Sequence, residues 1–169
     1  MTQAIFPLVT DDPVRLAAMM GRRRRPVVVV MALTDSDLAA ARQAGVLARW
    51  LGVSLTVVVL RPITVWLGAA GPLPMPTFED DYDFQATAAL VHTLDCTGVQ
   101  WRLAMIDTFA HSARVIRELD AGMVIVGAPH GWRNPIGRCR QLWRAGRLAR
   151  RVSVPVGVWS ARTGLSPRG

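Results

Sequence analysis

The chain contains no lysine: all twenty of its basic residues are arginine. That excludes chemistry through a lysine Schiff base, and it excludes a P-loop, whose lysine reaches the outer phosphates of a nucleotide. Acidic residues are missing from one part of the chain only. All twelve aspartates and glutamates lie at or before Asp120, whereas arginines continue beyond it at 133, 138, 140, 144, 147, 150, 151, 162 and 168. The two cysteines, Cys96 and Cys139, form no CxxC pair, so neither a disulfide framework nor a thiolate metal site is expected, and both read as reduced cytosolic thiols. Long apolar runs are absent: Val27–Met31 is far shorter than the roughly 20 residues that cross a bilayer. No basic start followed by an apolar stretch opens the chain, which predicts a cytoplasmic protein without a membrane span.

What is present suffices for one domain with a real core. Hydrophobic residues make up 51% of the 169 positions, too many for a disordered chain. The net charge of +8 favours anionic partners in general. An all-arginine composition is also what a GC-rich genome produces, and that accounts for the global charge with no ligand. It does not account for the missing acids beyond Asp120.

Apolar periodicity places the elements. Val27–Met31 is a continuous β-branched run, as in a strand buried on both faces. Thr34, Asp35, Ser36 and Asp37 supply helix N-caps, Leu38–Leu51 reads as a helix, and Gly52 ends it. Ser54–Leu60 is the next strand, stopped by Arg61-Pro62. Residues 62–78, rich in proline and glycine, read as a mobile loop carrying Trp66 and Leu67. The acidic cluster Glu79, Asp80, Asp81 and Asp83 opens a helix from about Tyr82 to Leu94. Its charge offsets the helix dipole, and the regularly spaced oxygens of a cation loop are missing, so no metal site is expected. A strand over Val99–Ile106, a helix from about Ala110 to Leu119, a strand over Met123–Val126, a helix over Arg138–Val152 and a last strand over Val154–Trp159 complete the pattern. The inner stripe of the last helix is Leu142, Ala145, Ala149 and Val152. Residues 1–25 form an N-terminal extension, with a short helix starting at Asp12-Pro13 and a solvated basic run at Arg22–Arg25. Residues 161–169 form a flexible tail.

Strands and helices that alternate in this way predict an α/β fold: a single-domain, Rossmann-like parallel sheet of five strands with helices on both faces. In such sheets ligands bind beyond the carboxyl ends of the strands, where the strand order switches. Gly127-Ala-Pro-His-Gly131 is then the loop to test first. It leads from a strand into a helix, and a helix start offers unpaired N–H groups to an anion.

Three stretches, in this order and spacing, resemble the universal stress protein family over residues 26–160. They are Leu47–Val59; Ile106–Ile116, which resembles the family's step from third strand to third helix; and Leu119–Gly127 together with Val154–Val158. The resemblance implies an adenine nucleotide alpha hydrolase-like fold. The family's ATP-binding members carry an Asp at the end of their first strand and a G-x-x-G-(nine residues)-G-S/T loop after the fourth. Alignment puts Ala32 where that Asp belongs and Thr34 in the following Ser position, with Asp35 three residues late. Gly127 matches the first loop glycine, His130 or Gly131 the second, and Leu142-Trp143 falls on the G-S/T pair. Gly137 and Gly146 are out of register. The ATP motif is degraded, and the chain is similar to those members that do not copurify with ATP.

The resemblance implies a non-catalytic stress-response or regulatory module in which adenine-nucleotide binding is weak or absent. ATP and AMP are the cofactor candidates, and a homodimer through Val154–Trp159 is the expected assembly. Any small ligand is expected among Leu33, Thr34, Asp35, Val59, Gly127, His130, Gly131, Arg138 and Arg140. The guanidinium forks of Arg138 and Arg140 would replace lost backbone ligands to phosphate. Arg140, Arg144, Arg147 and Arg151 form a stripe that reads equally as an anion surface and as a solvated helix face. The other alternative is a hydrolase acting on a nucleotide, with His130, His111, Asp107 and Asp35 as candidates, though no Ser-His-Asp or Cys-His arrangement stands out and fold alone does not establish function. Nucleic acid is disfavoured as a partner, because the stripe lacks the interleaved aromatics of single-strand binders beyond Trp132 and Trp143.

Overall fold

A computed structural model describes residues 5–7, 24–61, 67–68, 71–72, 77–127 and 135–159. Its centre is β2 (Val27–Met31), hydrogen-bonded in parallel to β3 (Leu55–Leu60) on one side and to β7 (Met123–Gly127) on the other. Beyond β3 lies β6 (Trp101–Ile106), and beyond β7 lies β8 (Val156–Trp159). All five expected strands are therefore present and parallel.

A sixth strand was not expected. β1 (Ile5–Pro7), within the N-terminal extension, pairs in parallel with β8 and gives the order β1-β8-β7-β2-β3-β6. Three residues carry too weak a pattern to be read as a strand from sequence. The consequence is large, because β1 takes the open edge of β8. An edge-to-edge dimer through Val154–Trp159 would first have to displace this strand of the same chain. The rest of the extension before Arg24, including the helix expected at Asp12-Pro13, lies outside the described residues, as does the tail from residue 160.

Burial follows strand alternation. Val27, Val29 and Met31 of β2, with Met123 and Ile125 of β7, face one layer; Val28, Val30, Val124 and Val126 face the other. The first layer is closed by α1 (Asp35–Leu51) and α2 (Thr77–Leu94), the second by α3 (Phe109–Glu118) and α4 (Pro135–Ala149).

α1 starts at an N-cap Thr34 and stops at Gly52, whose φ of 66° is the left-handed conformation that closes a helix and favours glycine. α2 starts at Thr77, ahead of the expected Tyr82, so the acidic cluster lies inside its first turns. A short 3-10 turn, Asp95–Thr97, follows it. α4 starts at Pro135 rather than Arg138, because proline has no N–H to leave unsatisfied in a first turn. Its inward residues are Ala145, Leu148 and Ala149, followed by Val152. In the Pro-rich segment, β4 (Leu67–Gly68) and β5 (Gly71–Pro72) form a small antiparallel pair, and Trp66 lies outside the described residues.

Candidate functional site

The chain runs outward from β2 to β3 and β6, then returns to the opposite side of β2 as β7. The strand order therefore switches between β2 and β7, and in sheets of this kind the crevice that takes a ligand lies beyond the carboxyl ends at such a switch. Since Val27–Val30 run in parallel register with Met123–Val126, the turn after β2 and the turn after β7 leave the same edge of the sheet. That juxtaposition is what the sequence reading required.

The β2 side of the crevice is built by a reversal at Leu33, whose φ of 60° is uncommon for a residue with a side chain. The reversal is held by Asp37. One carboxylate oxygen, Oδ2, accepts the N–H of Ala32 at 3.1 Å, the N–H of Thr34 at 3.3 Å and the Thr34 hydroxyl at 2.8 Å. The Asp37 N–H donates in return to Thr34 Oγ1, completing a capping box. Asp37 is only 1% exposed, and its Oδ1 has no hydrogen-bond partner. The chain's own carboxylate thus occupies the Ala32 and Thr34 N–H groups at the end of β2. Asp35, exposed one residue after the cap, adds negative charge there.

The β3 side is tied by an arginine. Arg61 leaves β3 with its N–H bound to the Ile106 carbonyl. Its guanidinium reaches Asp83 of α2 through Nη2 at 2.6 Å and Nε at 3.0 Å, and Asp107 after β6 through Nη1 at 3.2 Å. Hydrogen bonding to Asp83 raises the Arg61 pKa, and the same contact holds the Asp83 carboxyl below the usual carboxylate range. The neighbouring Tyr82 hydroxyl donates to the Leu60 carbonyl at 3.2 Å. Burial pushes the Tyr82 phenol up, and the charges of Asp37 and Asp83 add to the effect.

The structure places the expected residues unevenly. Leu33, Thr34 and Asp35 form the turn after β2. Val59 pairs with Met31 on the adjacent strand and is fully buried in the core, and Gly127 ends β7. His130 and Gly131 lie outside the described residues. Arg138 and Arg140 fall in the first two turns of α4, their side chains outside the described set. Leu142-Trp143, aligned with the family's G-S/T pair, lies inside α4 rather than before it. The helix begins soon after Gly127 and takes over the stretch that would form a long phosphate loop.

Among the hydrolase candidates, Asp107 is bound to Arg61 and His111 is exposed on α3. No hydrogen bond joins either to Asp35 among the described residues. No group of metal-ligating side chains occurs among the described residues, both cysteines are exposed free thiols, and no helix there is long and apolar enough to cross a membrane. Asp37 is the site residue that sequence reasoning placed only among the caps. The spacing Thr34-x-x-Asp37 is its signal, a capping box with Asp in place of Glu.

No protein-family profile matches the sequence, and no curated protein sequence does. Solved structures do match in shape. A protein of the universal stress protein family from Burkholderia pseudomallei superposes with a TM-score of 0.60 at 19% identity, covering 83% of this chain and 99% of its own. A universal stress protein in complex with cAMP gives 0.56 at 18% identity, covering 80% of this chain and 95% of its own. The universal stress protein from Archaeoglobus fulgidus in complex with dAMP gives 0.54 at 18%, covering 79% and 96%. The chain has the universal stress protein fold.

Proposed function

We propose that this protein is a non-catalytic regulatory module of the universal stress protein kind, working in the cytoplasm, whose crevice binds adenine nucleotides weakly or not at all. The fold likeness supports a module of this kind, and two proteins of similar fold were solved in complex with cAMP and dAMP. The observation that carries the reading is Asp37. Its buried carboxylate takes the Ala32 and Thr34 N–H groups, which leaves neither of them for a ligand. The early start of α4 supports the same reading, since little loop remains after Gly127 to wrap a phosphate. A regulatory rather than catalytic role is supported by the commitment of Asp107 to Arg61.

A second reading has one observation in its favour: positions 138 and 140, both arginine, fall in the first turns of α4, where the helix dipole favours an anion. Thermal shift with ATP, AMP and cAMP, together with mass analysis of small molecules released on denaturing the purified protein, separates the two. The first reading expects no released nucleotide and shifts below about 1 °C. A shift of several degrees, removed by Arg138→Ala with Arg140→Ala, would replace it with the second, since a specific ligand raises stability by mass action.

A further inference from the structure

We infer that the outward face of α4 is a docking surface for single-stranded nucleic acid, separate from the crevice. The helix buries Ala145, Leu148 and Ala149. At 100° per residue the opposite side carries Trp143, Arg147 and Arg150, with Arg151 beside them. Trp143 is 58% exposed, one of the few large apolar side chains left in water among the described residues. It is not loose: the Arg147 guanidinium carbon stands 5.3 Å from the centroid of its ring, a cation–π contact that holds the indole in place. Arg150 and Arg151 are exposed at the end of the same helix. Arg144 turns the other way, its guanidinium 5.8 Å from the ring of Phe109 at the start of α3.

Two independent features set this face apart from an ordinary solvated one. Solvated helices interleave opposite charges at three- and four-residue spacing, whereas α4 and all that follows contain no acid. Arg144, Arg147 and Arg151 are spaced to repel. The helix dipole offsets part of that cost at the C-terminus, but it gives no reason to expose an indole. A fixed flat ring flanked by guanidinium forks fits a chain that presents a base and a phosphate in alternation, the base stacking and the phosphates bridging to arginine. A second copy of this face would be repelled by its own charge. Lipid headgroups match the charge but offer no ring to stack. From Trp143 to Arg150 the face runs about 10 Å along the helix axis, long enough for two or three nucleotides. Sequence reading disfavoured nucleic acid because aromatics were not interleaved with the arginines. Helix geometry supplies the pairing, since Trp143 and Arg147 are one turn apart.

Fluorescence anisotropy with a labelled 15-nucleotide oligo(dT) tests this on the full chain. Binding at 50 mM salt should weaken with added salt, with a slope of log K against log salt near −2, about 0.7 per phosphate for the three arginines. Trp143→Ala should weaken binding roughly 10-fold and Trp143→Phe less than about 3-fold, because phenylalanine still stacks. The triple variant Arg147→Ala, Arg150→Ala, Arg151→Ala should flatten the salt slope. Arg114→Ala, on α3, should change nothing, and micromolar ATP, too dilute to occupy one ring and three arginines, should not compete. Far-UV circular dichroism should be the same for every variant. The proposal is overturned by no binding at 50 mM salt, by full binding in Trp143→Ala, by competition from ATP, or by capture on phosphatidylglycerol vesicles with the oligonucleotide left free. ATP competition would move the contact to the crevice, whereas failure of the proposed crevice function leaves all the other outcomes unchanged.

Discussion

Arg61 grips Asp83 through two parallel contacts, Nη2 to Oδ2 at 2.6 Å and Nε to Oδ1 at 3.0 Å, and so ties α2 to the carboxyl end of β3. With side chains 29% and 34% exposed, the pair is partly screened by water. Its two-point geometry still lifts it above an ordinary surface pair. Arg61→Ala is expected to cost about 1 kcal/mol and to lower Tm by roughly 2–4 °C. Arg61→Lys should recover less than half of that, because an ammonium has no fork. Thermal unfolding of the two variants beside Asp83→Ala checks the assignment, and additive losses from Arg61→Ala and Asp83→Ala would show that the contact carries no coupling energy.

The pH profile should bend at both ends. The Asp83 carboxyl is depressed, so its contribution is complete above the ordinary carboxylate range near about 4 and fades as pH falls through its lowered value. The Tyr82 phenol is raised, so its contribution is complete below about 10 and fades as pH rises through its raised value. Urea midpoints between pH 3 and 11 should show both limbs. Arg61→Ala should soften the acid limb, and Tyr82→Phe the alkaline one.

Asp37→Ala should be the most damaging change at the crevice. It takes the shared acceptor from two part-buried backbone N–H groups and the Thr34 hydroxyl and removes half of a capping box. A loss of roughly 2–3 kcal/mol is expected, with Asp37→Asn milder because its carbonyl oxygen keeps one acceptor. Chemical denaturation ranks the two, and equal losses would mean that the charge rather than the acceptor is what matters.

Gly45 of α1 packs against the end of α2 and the 3-10 turn that follows it. A β-carbon there would stand 3.1 Å from Thr97 Oγ1 and 3.2 Å from Leu94 Cδ2. Gly45→Ala sets a helix gain of about 1 kcal/mol against that crowding and should fall near neutral. Gly45→Val has no such compensation and should cost about 1–3 kcal/mol. Equal stability of the two variants would show that the helices part freely.

Deleting residues 1–10 removes β1 and bares the edge of β8. An apolar strand with unpaired N–H and C=O groups recruits another strand, so the truncated chain should self-associate in a concentration-dependent way while the full chain does not. Light scattering across a range of concentrations reads this directly. Identical masses for the two chains would mean that β1 does not guard the edge.

Much of the sheet could be read in advance for a local reason. The runs Val27–Met31 and Met123–Val126 are apolar at every position, a pattern that fits burial on both faces, and α1 between them carries its own cap and stop. Gly52 and Thr34 do in the structure what their residue types predict. The crevice was legible for the same reason: parallel strands place their carboxyl ends together. Boundaries shifted where turn chemistry outweighed periodicity, as at Pro135 and Thr77. Leu142-Trp143, aligned with the family's G-S/T pair, sits within a helix that periodicity alone could not extend back to Pro135.

The succession of strands and helices along the chain, the two-sided apolar runs and the charge imbalance beyond Asp120 are properties of residue type and spacing, and they are present in the unfolded chain as much as in the folded one. The seating of Ile5–Pro7 on β8 and Arg61 drawing Asp83 and Asp107 together are different in kind. Each depends on where a neighbouring group lies once the sheet has closed. Hydrogen bonds of this sort are directional and reward one geometry among many, so they leave no periodic trace along the chain.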